Sequence, residues 1–262
     1  MNTAFVNRSQ ARTYLHGHWK TAVYVEMICL CAELLLVVAE GVGFYRFGTI
    51  PLLPFALLVD LFLFSPLKAG RALFYDTLVT DSNTANLKLV VRFFRHGYAR
   101  SVAWRLKIWL WRAGLYILLT IPSAAFLYIS RLAEQKDSAT FAMIAFAFSL
   151  IFLASALIIT EILLLCYIPA VYLLTQVKEA KRAMHLSKRL SKGSNETWIG
   201  LHLDYAGWCF SLIFLFPVFY VSPLFQTARA ATVRKLFLRI SPRIHEQHLK
   251  RKKNHGRIRN EF

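Results

Sequence analysis

The chain has 262 residues, 56 % of them hydrophobic, 15 % aromatic and only 18 % charged, whereas soluble domains carry about a quarter charged residues. An ordinary soluble domain is excluded, and a membrane protein is indicated. Lys and Arg outnumber Asp and Glu 32 to 14, for a formal charge of +18, and the excess lies in segments flanking long apolar runs, at 65–107, 178–192 and 229–259. That pattern suits an anionic inner leaflet rather than nucleic acid, which is not expected as a partner.

The first 20 residues hold Arg8, Arg12, His16, His18 and Lys20 without an apolar core, and no small-residue cleavage site follows, so the first apolar run reads as a retained span rather than a signal peptide. A spanning helix needs about 20 apolar residues, because its backbone must satisfy itself away from water. Spans are predicted at about 22–44 and 47–64, joined by a tight turn near Tyr45, Arg46 and Gly48. Segment 85–107 is too charged to span. Its apolar Leu87, Val90, Val91, Phe94 and Val102 alternate with Arg92, Arg95, Arg100 and Arg105, which predicts an amphipathic interfacial helix with Arg92, Arg95, Arg100, Arg105 and Lys107 as contacts to lipid headgroups. Asp81, Ser82, Asn83 and Thr84 are its N-cap candidates and Trp104, Trp109 and Trp111 its anchors. A solvated helix packed on the bundle is the alternative.

Two further spans are predicted at about 108–129 and 143–168. The linker between them is nearly neutral, with Arg131 and Lys136 balanced by Glu134 and Asp137, whereas Lys178, Lys181, Arg182, Lys188, Arg189 and Lys192 follow the second. Basic segments stay inside. The apolar region from Trp198 to Ala231 must therefore be a hairpin, about 198–214 and 216–232, turning near Phe214 to Pro217; a single span would put Arg229, Arg234, Lys235, Arg239 and the Lys250–Lys253 cluster outside. The expected fold is an all-α, polytopic membrane helix bundle, one domain over 1–262, with six spans as three hairpins and a basic cytosolic tail at 235–262. Both termini are cytosolic on this reading. A weak repeat marks the hairpins: Ser65-Pro66-Leu67 with Arg71-Ala72, Ile168-Pro169-Ala170 with Arg182-Ala183, and Ser222-Pro223-Leu224 with Arg229-Ala230.

Ionisable groups inside spans cost about 2.5–3.5 kcal/mol each and so mark candidate sites. Counted at about 1.5 Å per residue, Glu26, Asp60, Glu161, Asp204 and Arg112 share one layer roughly 6–9 Å from the cytosolic ends, either as a polar cluster in which Arg112 pairs with Glu161 or as side chains that pair locally. Glu33 lies mid-span and needs a partner or a proton. With Glu26 and Glu40 at intervals of seven it forms an acidic stripe, suited to a cation or proton path or to hydrogen-bonded packing. Cys29, Cys31, Cys166 and Cys209 read as buried thiols. The sequons at Asn7 and Asn195 fall on the cytosolic side. His16 with His18, and His245 with His248, lack metal spacing, so neither a metal nor a cofactor is expected. No nucleotide-binding glycine loop, nucleophile elbow or zinc-protease helix is present, and no enzyme is indicated.

Several stretches resemble a bacterial integral-membrane family, domain of unknown function nine seven five: Ser65-Pro66-Leu67 with Gly70, Phe93-Phe94 to Tyr98, Ala183 to Ser187 with Lys192-Gly193, Leu201 to Trp208, and Pro223 to Ala230. His202, Asp204 and the long basic tail depart from it. The resemblance implies a six-helix membrane protein and supplies no catalytic residues. The functional expectation is a transport-related or membrane-organising component with its basic face on anionic lipid. The alternatives are a proton- or cation-coupled carrier using the intramembrane carboxylates, and an anchor for a protein partner held by the C-terminal tail.

Overall fold

The basic N-terminal segment and the first apolar run form two helices, α1 (Arg8–Leu15) and α2 (Trp19–Phe47), parted by Gly17, whose positive φ of 79° opens the turn. A computed structural model describes residues 8–47, 49–136, 138–177, 179–192, 194–209 and 219–238. All regular elements among these residues are helical.

The second apolar run gives α3 (Thr49–Val59), which passes through a π turn at Asp60–Phe64 into α4 (Ser65–Thr80). Pro54 inside α3 removes one backbone donor, and Pro66 occupies the first turn of α4, where its missing N–H is tolerated. Asp81 accepts from the Asn83 amide and caps the 3₁₀ turn Ser82–Thr84. The expected capping residues therefore serve this turn. The next helix, α5 (Lys88–Arg95), begins after Leu87 with no side-chain cap.

Gly97, at φ 105°, ends α5, and α6 (Tyr98–Gln135) follows as one helix of 38 residues. The interfacial helix expected over 85–107 is thus split, its second half continuous with the span. At about 1.5 Å per residue α6 is roughly 57 Å long, nearly twice the roughly 30 Å hydrocarbon core. It is longer than a crossing requires. α7 (Ala139–Leu164) runs through a 3₁₀ turn at Leu165–Tyr167 into α8 (Ile168–Leu173). Then come α9 (Ala180–Ser191), α10 (Asn195–Cys209) and α11, over 219–238.

Three of these helical stretches are long and apolar enough to cross a membrane: Trp19–Gly43, Tyr98–Gln135 and Ala139–Leu173. They contain the spans expected at 108–129 and 143–168 and all but the last residue of the one at 22–44. The other three expected spans, 47–64, 198–214 and 216–232, each include residues outside those described. α6 and α7 pack through small residues, with reciprocal bonds from Ser123 Oγ to the Ser149 carbonyl (2.9 Å) and from Ser149 Oγ to the Ser123 carbonyl (3.0 Å). Their outer faces leave Ile117 70 % and Met143 72 % exposed. Side chains this apolar and this open need a lipid surround.

Three shorter helices, α4, α8 and α11, bury most of their apolar residues in protein. Phe74, Tyr75 and Leu78 of α4, Leu173 beside Tyr172 of α8, and Leu224, Ala228, Ala231 and Leu236 of α11 form one core. Those three helices carry the Pro positions of the weak repeat, with Arg71-Ala72 and Arg229-Ala230 on α4 and α11 and Arg182-Ala183 on α9. They are joined pairwise: Arg71 donates to Ser222 (2.8 Å), Tyr172 to Gln226 (3.1 Å), and Thr175, just past α8, to Asp76 (3.0 Å). α5 lies across α4 at Gly70, where an added Cβ would stand 1.8 Å from the Val90 carbonyl oxygen.

Candidate functional site

Four of the acids singled out in the apolar runs, Glu26, Asp60, Glu161 and Asp204, each meet an arginine, but separately rather than in one cluster. Glu26 on α2 is buried at 4 % exposure. Its carboxylate accepts two bonds from Arg71, one from Tyr75 Oη (2.7 Å) and one from Ser222 Oγ (2.5 Å). Asp60, in the π turn, accepts Arg105 through two nitrogens at 3.0 and 3.1 Å and Lys68 at 3.4 Å. Glu161 on α7 accepts Arg112 (3.1 Å) and Tyr116 Oη (3.0 Å), the pairing that depth counting predicts. Asp204 on α10 pairs with Arg8 of α1 at 3.1 Å. Glu33 joins none of these. It is exposed on α2 and makes no hydrogen bond or ion pair among the described residues; of the expected acidic stripe only Glu26 reaches the core.

The expected headgroup contacts also divide. Arg92 and Arg95 are exposed on α5. Arg105 is committed to Asp60, while Arg100 donates to the Val177 carbonyl (2.8 Å) and stacks over Phe93. Lys107 is half-buried, as is Trp109; Trp111 is 56 % exposed, but Trp104 is buried at 6 % and belongs to the core rather than to an interface. Cys31 is exposed, contrary to the expectation of a buried thiol, whereas Cys29 is buried and Cys166 half-buried. The tail after Leu238, with His245 and His248, and the turn near Phe214–Pro217 lie outside the described residues, as does Asn7. No metal-holding group of His, Cys, Asp or Glu occurs among the described residues.

All of the pairs but Arg8–Asp204 place an arginine on one cavity of about 510 Å³ at the basic end of the α6–α7 hairpin, bounded by α4, α6, α7, α8, α10 and α11. Lys68, Arg71, Arg105, Arg112 and Arg229 line it, and Glu161 is the one acid among its lining residues. Glu26 and Asp60 stand behind their arginines. Arg229 differs from the others: among the described residues it has no carboxylate partner. It donates to His202 Nε2 at 3.0 Å and lies 4.3 Å from the Phe225 ring centroid. Because an arginine only donates, His202 Nε2 must be the bare acceptor nitrogen, and its Nδ1–H then donates to the Trp198 carbonyl at 2.8 Å. His202 is accordingly neutral, and it brings Arg229 no countercharge.

Sequence reasoning missed Arg229 and Arg71 as site residues, reading them as juxtamembrane charge. The signal was present in the repeat, since Arg71-Ala72 and Arg229-Ala230 occupy equivalent places and their arginines meet at this cavity. Compared with protein-family models, curated proteins and solved structures, the chain matches none.

Proposed function

We propose that the protein is a non-enzymatic, multi-pass component of the cell (inner) membrane, transport-related or membrane-organising, whose basic face and termini are cytosolic and whose basic face seats on anionic phospholipid. The observation that carries this reading is α5. Val90 and Phe93 turn into the core, while Leu87, Val91 and Phe94, at i, i+4 and i+7, stay 39, 53 and 37 % exposed. Lys88, Arg92 and Arg95 form a second stripe one residue on, about 100° round the helix. An exposed apolar stripe beside a basic one is what a helix lying in the headgroup layer requires. The engagement of Glu26, Asp60, Glu161 and Asp204 by arginines supports this reading over a proton- or cation-coupled carrier.

A polarity-sensitive fluorophore at Val91→Cys, in full-length protein with the native cysteines replaced, tests it. Emission shifts to the blue in nanodiscs containing phosphatidylglycerol. The shift is lost when Lys88, Arg92 and Arg95 are all changed to Gln, since each basic side chain near an anionic surface contributes about 1 kcal/mol. Emission matching that of the same dye at exposed Glu134→Cys, in every lipid, rules the seat out.

A further inference from the structure

Some of the residues that line the cavity carry donors that lack acceptors. Three buried N–H groups of its lining residues have no hydrogen-bond partner among the described residues: Arg229 Nε, Arg112 Nε and Trp104 Nε1. Buried polar groups are nearly always paired, and an unpaired donor costs about 1–3 kcal/mol, more when charged. The charges are uneven too. Five cations line the space, and three carboxylates, Glu26, Asp60 and Glu161, answer four of them, leaving Arg229 over. A cation has nothing to gain here. The missing species is an anion with several acceptor atoms, small enough for a space of about 510 Å³.

We propose that this cavity binds a phosphate group, with Arg229, Arg112 and Trp104 as its donors. Phosphate offers the oxygens for several charge-assisted bonds at once, the geometry for which guanidinium is suited. Arg229 is held ready for it: its contact with neutral His202 fixes the side chain without neutralising it, and the Phe225 ring carries its other face. The two arginines of the repeat that line the cavity divide the work. Arg71 is occupied by Glu26 and ties α2 to α4, whereas Arg229, on the matching segment of α11, is left for the ligand. Ile108, Leu164, Ile168 and Val171 form an apolar side to the cavity against α6 and α7, where the chains of a phospholipid would lie, so a lipid headgroup is the favoured source of the phosphate. This deepens the anionic-lipid reading above but does not use α5, and the two are separable.

The test uses the full-length purified protein in detergent, with dioctanoyl phosphatidylglycerol, inorganic phosphate and phosphate-free dioctanoylglycerol as probes and thermal melting as readout. The phosphatidylglycerol raises the melting temperature and dioctanoylglycerol does not; Arg229→Gln weakens the apparent affinity by roughly tenfold or more, while Arg92→Gln with Arg95→Gln leaves it in place. Stabilisation by inorganic phosphate alone, equally dependent on Arg229, supports the same site with a soluble source. Should Arg229→Gln fail to fold, Glu161→Gln decides, because it removes the one acid lining the cavity and frees Arg112; phosphate or lipid then binds several-fold tighter. Stabilisation by neither phosphate probe, undiminished binding in Arg229→Gln, or no gain in Glu161→Gln overturns the proposal. Retained cavity binding together with an unshifted dye at position 91 separates it from the α5 seat.

Discussion

At the scale of the residue, the decisive choice is how each buried charge is answered. Glu26 is the most fully answered, and removing its charge leaves Arg71, whose side chain is 17 % exposed, without a countercharge. Breaking one half of such a pair costs about 3–5 kcal/mol, whereas replacing both halves by apolar residues is often neutral. Glu26→Gln is therefore expected to melt far below the wild type in detergent, and Glu26→Met with Arg71→Met to recover most of the loss; a double variant as unstable as the sum of its parts refutes the coupling. Asp76, at the outer end of α4, presents the opposite case. Burial, opposed in part by the Thr175 hydroxyl bond, raises its carboxyl above the ordinary 3.8. A raised pKa means that the fold favours the protonated acid, so the stability it contributes is complete below pH 3.8 and is lost as the pH climbs through the folded value. Asp76→Asn should thus melt increasingly above the wild type as the pH rises from about 4 to neutrality. A constant difference across that range refutes it. Glu26, Asp60, Glu161 and Asp204 were legible because a carboxylate in an apolar run is conspicuous. Their partners Arg8, Arg71 and Arg105 were not, since each sits in a basic stretch where a buried arginine and a solvated one look alike; only Arg112 shared the apolar setting, and only its pair was predicted.

At the scale of the element, α4 is the piece on which the others are assembled. α5 crosses it with the Val90 carbonyl against Gly70, close enough that no Cβ fits. The obstruction is backbone, not a side-chain end that can swing aside, so Gly70→Ala must lift α5 off α4 and open the contacts of Val90 and Phe93. Overpacking of a core costs about 1–3 kcal/mol, and a backbone collision belongs at or above the top of that range. Gly114→Ala on α6 is the control: a Cβ there meets nothing within 4 Å, and alanine is the better helix former by about 1 kcal/mol. A Gly70→Ala protein that melts with Gly114→Ala shows that the crossing is not fixed by this contact. The helices themselves were largely readable from apolar length, but their ends were not. The charges of Arg100, Arg105 and Lys107 set that stretch apart from the apolar run after it, yet the helix does not end where the charges begin, and α6 runs through both. What stops it is Gly97, where a positive φ reverses the chain, and one glycine among polar residues carries no periodicity.

At the scale of the whole molecule, two kinds of burial are joined end to end. α2, α6 and α7 turn leucine, isoleucine and phenylalanine outward, while α4, α8 and α11 bury theirs against one another. Composition registers both as apolar, so a count of apolar runs cannot tell them apart; among the described residues three stretches are long and apolar enough to cross a membrane. Charge is the better guide to which end faces which compartment. The loop end of the α6–α7 hairpin carries the exposed Arg131–Glu134 pair, at 3.3 Å and nearly neutral in sum, whereas the far end gathers Arg92, Arg95, the cavity arginines and the basic helix α9. On the proposed reading the second end is the cytosolic one, the side on which the positive-inside rule collects basic segments. About 20 residues at about 1.5 Å each carry the chain across the core, so Ser138 and Ser194 should lie on opposite sides. In cells expressing the cysteine-free protein with a single added thiol, a membrane-impermeant maleimide is expected to label Ser138→Cys directly and Ser194→Cys only after permeabilisation. Equal labelling of both from outside would mean that the hairpin does not cross, and the reverse pattern would turn the basic face, with its phosphate cavity, away from the anionic leaflet it is proposed to meet.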